Sequence, residues 1–407
     1  MANRKMPEIR FPIFEGDWEQ RKLKELGDIQ TGNTPPTSDK KNYNDNGFMW
    51  VTPTDIDSLV ISDTKKKLSD IGKSRARTAK AGSILVTSIA SIGKNTLALT
   101  EVGFNQQINA LTPTIGNDSY FLLTQSEQWS EKMKRNAASG TMQIVNKTEF
   151  SNLVTFVPEF KEQHKIGNFF KLLDDTITLY QQELTTLKQI KQGFLQKMFP
   201  REGKKVPEIR FPEFTDDWEQ HKLSDLMIFS NGINAPKENY GYGRKMISVM
   251  DILDKQPIKY ENIRSSVKVD MKNEEQNKVE KGDLVFVRSS EIPEEVGWAK
   301  AYLDEEYALY SGFSIRGKKK KDFDAYFVEL DLNFSNRKQI ERKAGGSTRF
   351  NVSQSILNSL EILMPKNGEQ TRIASFFKKL DETIALHQRD LELLKLTKKA
   401  FLQKLFV

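Results

Sequence analysis

The sequence has no cysteine, and its three histidines, His164, His221 and His387, lie far apart in 407 residues. The missing cysteine removes disulfide frameworks, thiolate zinc sites, iron–sulfur clusters and cysteine nucleophiles together, and suits a reducing compartment. Long apolar runs are missing too. The stretch around Gly82-Ser83-Ile84-Leu85-Val86 is broken well short of the ~18 residues of a membrane span, and Asn3-Arg4-Lys5 leads into no apolar signal core. A cytoplasmic protein with no membrane association is expected. Acid is not in excess either: 62 Lys+Arg against 55 Asp+Glu give +7, a modest surplus that suits a polyanionic partner.

Catalytic and cofactor motifs are equally scarce. Gly93-Lys94-Asn95-Thr96 resembles the end of a phosphate loop, but Ser88 stands where the first glycine belongs and Asn95 where Ser/Thr should follow the lysine. Gly241-Tyr242-Gly243 is followed by Met246 in place of a third glycine, so no dinucleotide fingerprint is present. The Pro35-Pro36 pair is flanked by Thr34 and Thr37, unlike the Asn/Asp-Pro-Pro-Tyr/Phe tetrad of an adenine methyltransferase. No catalytic residue and no metal ligand is assigned.

What the chain does have is internal repetition, the signal that decides architecture before any local reading. Pro7-Glu8-Ile9-Arg10-Phe11-Pro12, Phe14 and Asp17-Trp18-Glu19-Gln20 recur as Pro207-Glu208-Ile209-Arg210-Phe211-Pro212, Phe214 and Asp217-Trp218-Glu219-Gln220, an offset of 200. A second block, from Glu162-Gln163 to Phe199, recurs from Glu369-Gln370 to Phe406 at an offset of 207. The segments expected are a lead-in at 1–16, a body at 17–157, a helical spacer at 158–205, the repeated lead-in at 206–216, a second body at 217–364 and a second helical spacer at 365–407.

Each spacer carries a 3.5-residue stripe. Ile166, Phe170, Leu173, Ile177, Tyr180, Leu184 and Leu187 advance by steps of four and three, as do Ile373, Phe377, Leu380, Ile384, His387, Leu391 and Leu394. About 36 residues at 1.5 Å each make a rod of roughly 55 Å. One narrow apolar seam per rod needs a partner, and the two rods can cover each other as an antiparallel coiled coil. Lys191 and Lys398 fall at equivalent seam positions, as a register-setting polar pair or as snorkelling stems at a frayed end. His387 stands where Tyr180 stands in the other copy, an exchange that a packing residue tolerates.

The bodies read as α+β domains. Phe48-Met49-Trp50-Val51-Thr52-Pro53, Ser83-Ile84-Leu85-Val86-Thr87, Asp283-Leu284-Val285-Phe286-Val287 and Leu360-Glu361-Ile362-Leu363-Met364-Pro365 are strand-like runs bounded by turn residues, with short helices expected near 120–135 and 323–342. The fold class is therefore two sheet-containing bodies separated by two paired long helices, with a pseudo-twofold internal repeat.

These strings together resemble the DNA-specificity subunit of type I restriction-modification enzymes over essentially the whole chain. The first body has Gly32-Asn33-Thr34-Pro35, Trp50-Val51-Thr52-Pro53-Thr54-Asp55-Ile56, Gly82-Ser83-Ile84-Leu85-Val86 and Ile92-Gly93-Lys94 in the order of such a target-recognition domain. The second has Asn231-Gly232, Ile247-Ser248-Val249-Met250-Asp251-Ile252, Gly282-Asp283-Leu284-Val285-Phe286 and Val296-Gly297, and both helices are preceded by Pro and Glu-Gln. The resemblance implies that each body reads one half of a split target in double-stranded DNA. It also implies that the helices set the half-site spacing and dock two methyltransferase (modification) subunits, which join restriction/translocase subunits. No cofactor is expected on this chain, S-adenosylmethionine, ATP and Mg belonging to partner subunits. The two bodies share little sequence, so their half-sites should differ.

DNA-facing candidates follow from side-chain chemistry: Arg, Lys, Asn, Gln and Ser/Thr for base edges, Lys and Arg for phosphates. Lys65, Lys66, Lys67, Lys73, Arg75, Arg77 and Lys80 are phosphate candidates or a solvated face, and Ser88, Ser91, Lys94, Asn95, Gln106 and Gln107 are base-reading candidates. In the second body Asn234, Lys237, Tyr240, Tyr242 and Arg244 form a basic, aromatic-interleaved stretch, and Arg288, Ser289 and Ser290 follow a strand-like run, Arg288 being the leading candidate for a base contact. Lys318-Lys319-Lys320-Lys321 reads as a solvated or phosphate-touching turn. Gly140-Thr141-Met142-Gln143 and Gly346-Ser347-Thr348-Arg349 are matched turns that touch DNA or end the sheet. Two other classes stay open at this point. Glu159-Phe160-Lys161 has the Glu-x-Lys form of some metal-dependent nucleases, and the rods alone would suit a scaffold.

Overall fold

The computed structural model describes residues 6–89, 91–138, 144–346 and 349–407. The chain divides into two compact units, one made of residues 1–182 and 388–407, the other of residues 183–387. Each long helix, Phe160–Lys197 and Asn367–Lys404, is a single element that gives part of its length to each unit.

In the first unit the run after Gly82 becomes the strand Ile84–Thr87, every residue of it buried, as a central strand covered on both faces must be. It pairs antiparallel with Ile108–Pro113, which pairs antiparallel with Gly27–Thr31. Asn95–Ala98 and Val60–Ile61 complete a sheet of five strands. The helix Ser119–Ala138 contributes Phe121, Leu122, Trp129 and Met133 to the core formed with Ile84, Val86 and Leu111. Glu19–Lys22 pairs antiparallel with Val154–Val157, so the body opens and closes at one place, from which the long helix departs.

The second unit repeats this frame although its sequence differs. Its sheet runs Met227–Asn231, Ser314–Lys319, Leu284–Val287, Ala299–Ala301. Glu219–Lys222 closes against Glu361–Met364. Where the first unit has one long helix on the sheet, the second has Ala325–Leu330, a π-turn at Asp331–Ser335 and Arg337–Lys343.

The repeated motifs meet each other in space. In the first unit Arg10 Nε and Nη2 donate to Glu162 Oε1 and Oε2 at 2.8 and 2.7 Å. In the second, Arg210 holds Glu369 in the same fork at 2.7 and 2.7 Å. The carboxylates are 0% and 1% exposed and the guanidiniums 15% and 14%, so each pair is a buried, bidentate latch between lead-in and helix start. The adjacent glutamines do the neighbouring work. Gln163 Nε2 donates to the Pro158 carbonyl at 2.9 Å and its Oε1 accepts from Asp118 N–H at 3.1 Å. Gln370 repeats both bonds with Pro365 and Asp324 at 2.8 and 3.0 Å. Asp118 and Asp324 in turn cap the body helices through the N–H groups of Tyr120 and Phe121, and of Tyr326 and Phe327.

The helix ends are tied in the same way. Ile9 N–H donates to the Lys404 carbonyl at 2.9 Å and Ile209 N–H to the Lys197 carbonyl at 2.8 Å. Phe406 packs on Trp18, Phe121 and Phe170, and Phe199 on Trp218, Phe327 and Phe377. Residues 388–407 are thus part of the core of the first unit.

Within each unit the two helices run antiparallel. In the first, Phe169 meets Phe401 and Asp174 meets Lys398; in the second, Lys191 meets Asp381 and Phe194 meets Phe376. Ile166, Phe170, Ile177, Leu184, Ile373, Phe377 and Leu391 are buried, while Leu173, Leu187, Leu380, Ile384 and Leu394 are half-buried, because a single partner helix covers a seam from one side only. Lys191 and Lys398 neither pair with each other nor fray. Each forms an ion pair with an aspartate of the opposite helix, at 2.5 Å to Asp381 and 2.7 Å to Asp174. Tyr120 donates to Asp174 at 2.9 Å, and Tyr326 donates to Asp381. Burial, and then the adjacent carboxylate, push both phenols above their usual range, so they remain donors. Among the described residues no helix is long and apolar enough to cross a membrane.

The latches generate a stability prediction. Arg210→Ala leaves Glu369 buried and unpaired, and should cost about 3–5 kcal/mol, the usual price of breaking a buried ion pair from one side. Denaturant unfolding of the variant checks this, and a change below ~1 kcal/mol would show that the latch does not hold the lead-in to the helix.

Candidate nucleic-acid interface

In the first body the basic candidates fall into two groups. Lys65, Lys66, Lys80 and Lys94 are exposed. The others are engaged: Lys67 with Asp63 at 2.9 Å, Lys73 with Glu101 at 3.0 Å and over the Phe48 ring, and Arg75 with Asp39 at 3.0 Å and Asn42 at 2.9 Å. Arg77 donates to the Thr31 carbonyl at 2.7 Å. Asp39 and Glu101 are held below the usual carboxylate range, first by their hydrogen bonds to Arg75 and Lys73. Arg75 and Arg77 therefore pin the loop after Gly27–Thr31, a positioning task.

The polar candidates separate as well. Ser88 is 3% exposed and gives its hydroxyl to the Gln107 carbonyl at 3.0 Å, so the expectation of a base-reading Ser88 is corrected to a packing residue. Asn95 is half-buried, its Nδ2 donating to Ser130 Oγ at 2.8 Å. Ser91 and Gln106 are exposed and Gln107 half-exposed, and Thr34 donates to Gln106 Oε1.

In the second body Arg244 is the clearest correction. Its guanidinium donates to Glu306 at 2.7 Å, Tyr307 Oη at 2.9 Å and Tyr260 Oη at 3.2 Å, and stacks 4.1 Å from the Tyr307 ring centroid. A side chain so occupied holds loops together and has no fork left for guanine. Tyr240 accepts from Ala235 N–H, whereas Tyr242 is 51% exposed, and Asn234 and Lys237 are exposed. Ser289 and Ser290 form a short strand against Phe350–Asn351, and Ser290 donates to Glu295 at 2.6 Å. Lys318 and Lys319 pair with Glu280 and Asp322 at 3.2 and 2.8 Å. The matched turns at 140–143 and 347–348 lie outside the described residues.

Arg288 is half-buried at the end of Leu284–Val287, and its Nη1 donates to the Gly312 carbonyl at 3.2 Å. Its backbone N–H donates to Phe313 O at 3.0 Å, as Ser88 N–H donates to Gln107 O at 2.8 Å in the first body. The strand-to-strand turns are equivalent, Ile108 N–H closing on Asn105 O at 3.1 Å and Ser314 N–H on Ser311 O at 2.9 Å. Sequence reasoning passed over Phe313, which is 59% exposed. Its signal was a phenylalanine among small polar residues, Ser311-Gly312-Phe313-Ser314, with no apolar period around it.

A cleft of about 400 Å³ near the first helix start is lined by Glu15, Asp17, Glu19, Glu25 and Glu159 against Arg10 and Arg21. Five carboxylates against two guanidiniums make it the wrong sign for phosphate. The candidate cations left exposed and outside the contacts above are Lys65, Lys66, Lys80 and Lys94 in the first body and Lys237 in the stretch 234–244 of the second.

The structure thus consists of two sheet bodies with exposed polar turns, each joined to a repeated long helix. A family model described as the type I restriction modification DNA specificity domain matches residues 15–189 and 215–396. The chain belongs to that family, and it is a non-catalytic DNA target-recognition subunit. It is similar to the MjaIX specificity subunit of Methanocaldococcus jannaschii, with 23% identity over 405 residues, 96% of this chain and 92% of that protein. The HindI specificity subunit of Haemophilus influenzae is 30% identical over 171 residues, 39% of this chain and 37% of that protein. Among solved structures, the S subunit of a type I restriction-modification system from M. genitalium shares the fold, with TM-score 0.64 and 14% identity, covering 99% of both chains.

The division into engaged and exposed cations is testable. Lys65→Ala and Lys94→Ala should each lower the slope of log K against log salt by about one, with unfolding unchanged. Arg244→Ala should instead destabilise by roughly 1–2 kcal/mol as its part-buried bonds to Tyr260 and Tyr307 are lost. Salt titrations of DNA binding and thermal unfolding of the three variants distinguish the roles.

Proposed function

We propose that each body reads one half of a split duplex target and that the two helices fix the distance between the halves. The observation that carries this reading is the repetition of one frame with different exposed side chains at matching places, as at Gln107 and Phe313. One scaffold used twice with two sets of contacts gives two different half-sites. Each helix is an unbroken element of 38 residues. At 1.5 Å per residue that is roughly 57 Å, longer than the ~34–36 Å between equivalent groove faces one DNA turn apart.

The same helices dock two modification subunits in this reading. Leu172, Leu179 and Leu393 in the first unit, and Leu386 in the second, are 69%, 52%, 62% and 57% exposed. Each stands one residue before the seam positions 173, 180, 394 and 387, and so on the outer surface of its helix pair. Apolar side chains left in water at heptad spacing mark a surface for another protein. Methyl transfer with S-adenosylmethionine then belongs to the modification subunits, and ATP- and Mg-dependent translocation and cleavage to restriction subunits. Work on cellular DNA puts the complex in the cytoplasm.

Replacing residues 17–157 by the corresponding body of a relative should change one half of the methylated motif and leave the other half and the spacing intact. Lengthening both helices by one heptad, after Gln182 and after His387, should add about 10 Å, or roughly three base pairs, to the spacer. Sequencing of methylated sites in cells carrying each variant with the modification subunits reads both outcomes, and a motif unchanged in sequence and spacing would overturn the reading. Leu179→Glu with Leu393→Glu should abolish co-purification of the modification subunit while DNA binding by the chain itself persists.

A further inference from the structure

The two bodies can be aligned without reference to their side chains, through their backbone hydrogen bonds. Gly32 N–H donates to Ile108 O, Asn33 N–H to Phe104 O, and Asn105 N–H to Val51 O, at 3.0 to 3.1 Å. Their counterparts are Gly232 to Ser314, Ile233 to Tyr310 and Ser311 to Ile247, at 2.9 to 3.3 Å. A Cβ on Gly32 or Gly232 would fall 2.2 Å from a carbonyl oxygen of the facing turn, so both glycines are required by close approach. With the bonds of Ser88 and Arg288 described above, these contacts pair Gln107 with Phe313, Gln106 with Gly312, Ser88 with Arg288 and Thr34 with Asn234.

We propose that this turn is the base-reading element of each body, with Phe313 and Arg288 reading in the second body and Gln106 and Gln107 in the first. The inference deepens the reading of the chain as a DNA-specificity subunit and rests on it.

Phe313 carries the argument. A phenylalanine left 59% exposed forgoes much of the free energy that its burial would supply. The turn does not need an apolar residue at this place, because the same turn forms in the first body with Gln107. Nor can the turn fold the ring inward at little cost, because its backbone is pinned. Ser311 N–H, Gly312 N–H, the Gly312 carbonyl and the Phe313 carbonyl are bonded to Ile247, Ile233, the Arg288 guanidinium and Arg288 N–H respectively. The ring is therefore held outward on a rigid platform beside an arginine. Apolar side chains contact thymine methyls or wedge between bases, arginine pairs with guanine, and glutamine pairs with adenine. The exchange of Gln107 for Phe313, and of Ser88 for Arg288, at matching places of one frame is a change of reading chemistry.

The test uses the full chain with its modification subunits and a pool of random-sequence duplexes from which bound sites are selected. Phe313→Ala and Phe313→Gln should lower discrimination by about tenfold or more at one position of one half of the motif. Gln107→Ala should do the same in the other half. Thermal unfolding should be unchanged in all three, and any loss of binding to unselected duplex should be smaller than the loss at the selected site. A selected motif identical to that of the unmodified protein would overturn the assignment, as would a uniform loss across all sequences. If the unmodified complex selects no motif, DNA recognition by the chain fails as a whole; if it does and the variants keep it, only the turn assignment fails.

Discussion

Two buried carboxylates, Glu162 and Glu369, set the terms for the rest of the molecule. A carboxylate with almost no access to water is tolerated only if a cation meets it in good geometry. Arg10 and Arg210 do so with both arms of the guanidinium. That requirement holds each lead-in segment against the start of a long helix. It also places Gln163 and Gln370 to bond the N-terminal caps of the body helices. Lead-in, long helix and body are thus joined by one short chain of polar contacts, made twice with the same residues.

Those joints share none of their hydrogen bonds with the exposed turns of the bodies. A substitution at Lys94, Gln107 or Phe313 leaves the latches, the closing strand pairs and the Tyr–Asp–Lys contacts untouched. The frame therefore constrains what it must, in particular two close-approach glycines and two buried tryptophans, Trp18 and Trp218, while leaving the outer side chains free to differ. A subunit whose task is discrimination between DNA sequences needs this separation, because its contacts must change without loss of the fold.

Much of the frame was legible in the sequence. The stripe through Ile166, Phe170 and Ile177 and its copy through Ile373 and Phe377 specify helices and their buried edge, since a 3.5-residue period has few other uses. The repeated strings announced the duplication, and the short runs such as 283–287 announced buried strands. What they are for was not legible. The partner of Arg10 is 152 residues away, and no local pattern names it. The candidate site was read less well for the same reason. Arg244 and Ser88 have the composition of DNA-reading residues, and only the fold shows that Glu306, Tyr260, Tyr307 and the Gln107 carbonyl have already taken their hydrogen bonds. Phe313 was missed in the opposite direction, because a phenylalanine is read by default as core.

The first unit takes its last twenty residues, 388–407, from the far side of the second unit in sequence. On the ribosome these residues emerge after residues 1–387. Until they do, Trp18, Phe121 and Phe170 lack the cover that Phe406 provides, whereas the aromatic core around Phe199 and Trp218 lies within one contiguous stretch. The core of the first unit is thus complete only once residues from both sides of the second unit have come together, while the second unit is built from one continuous stretch.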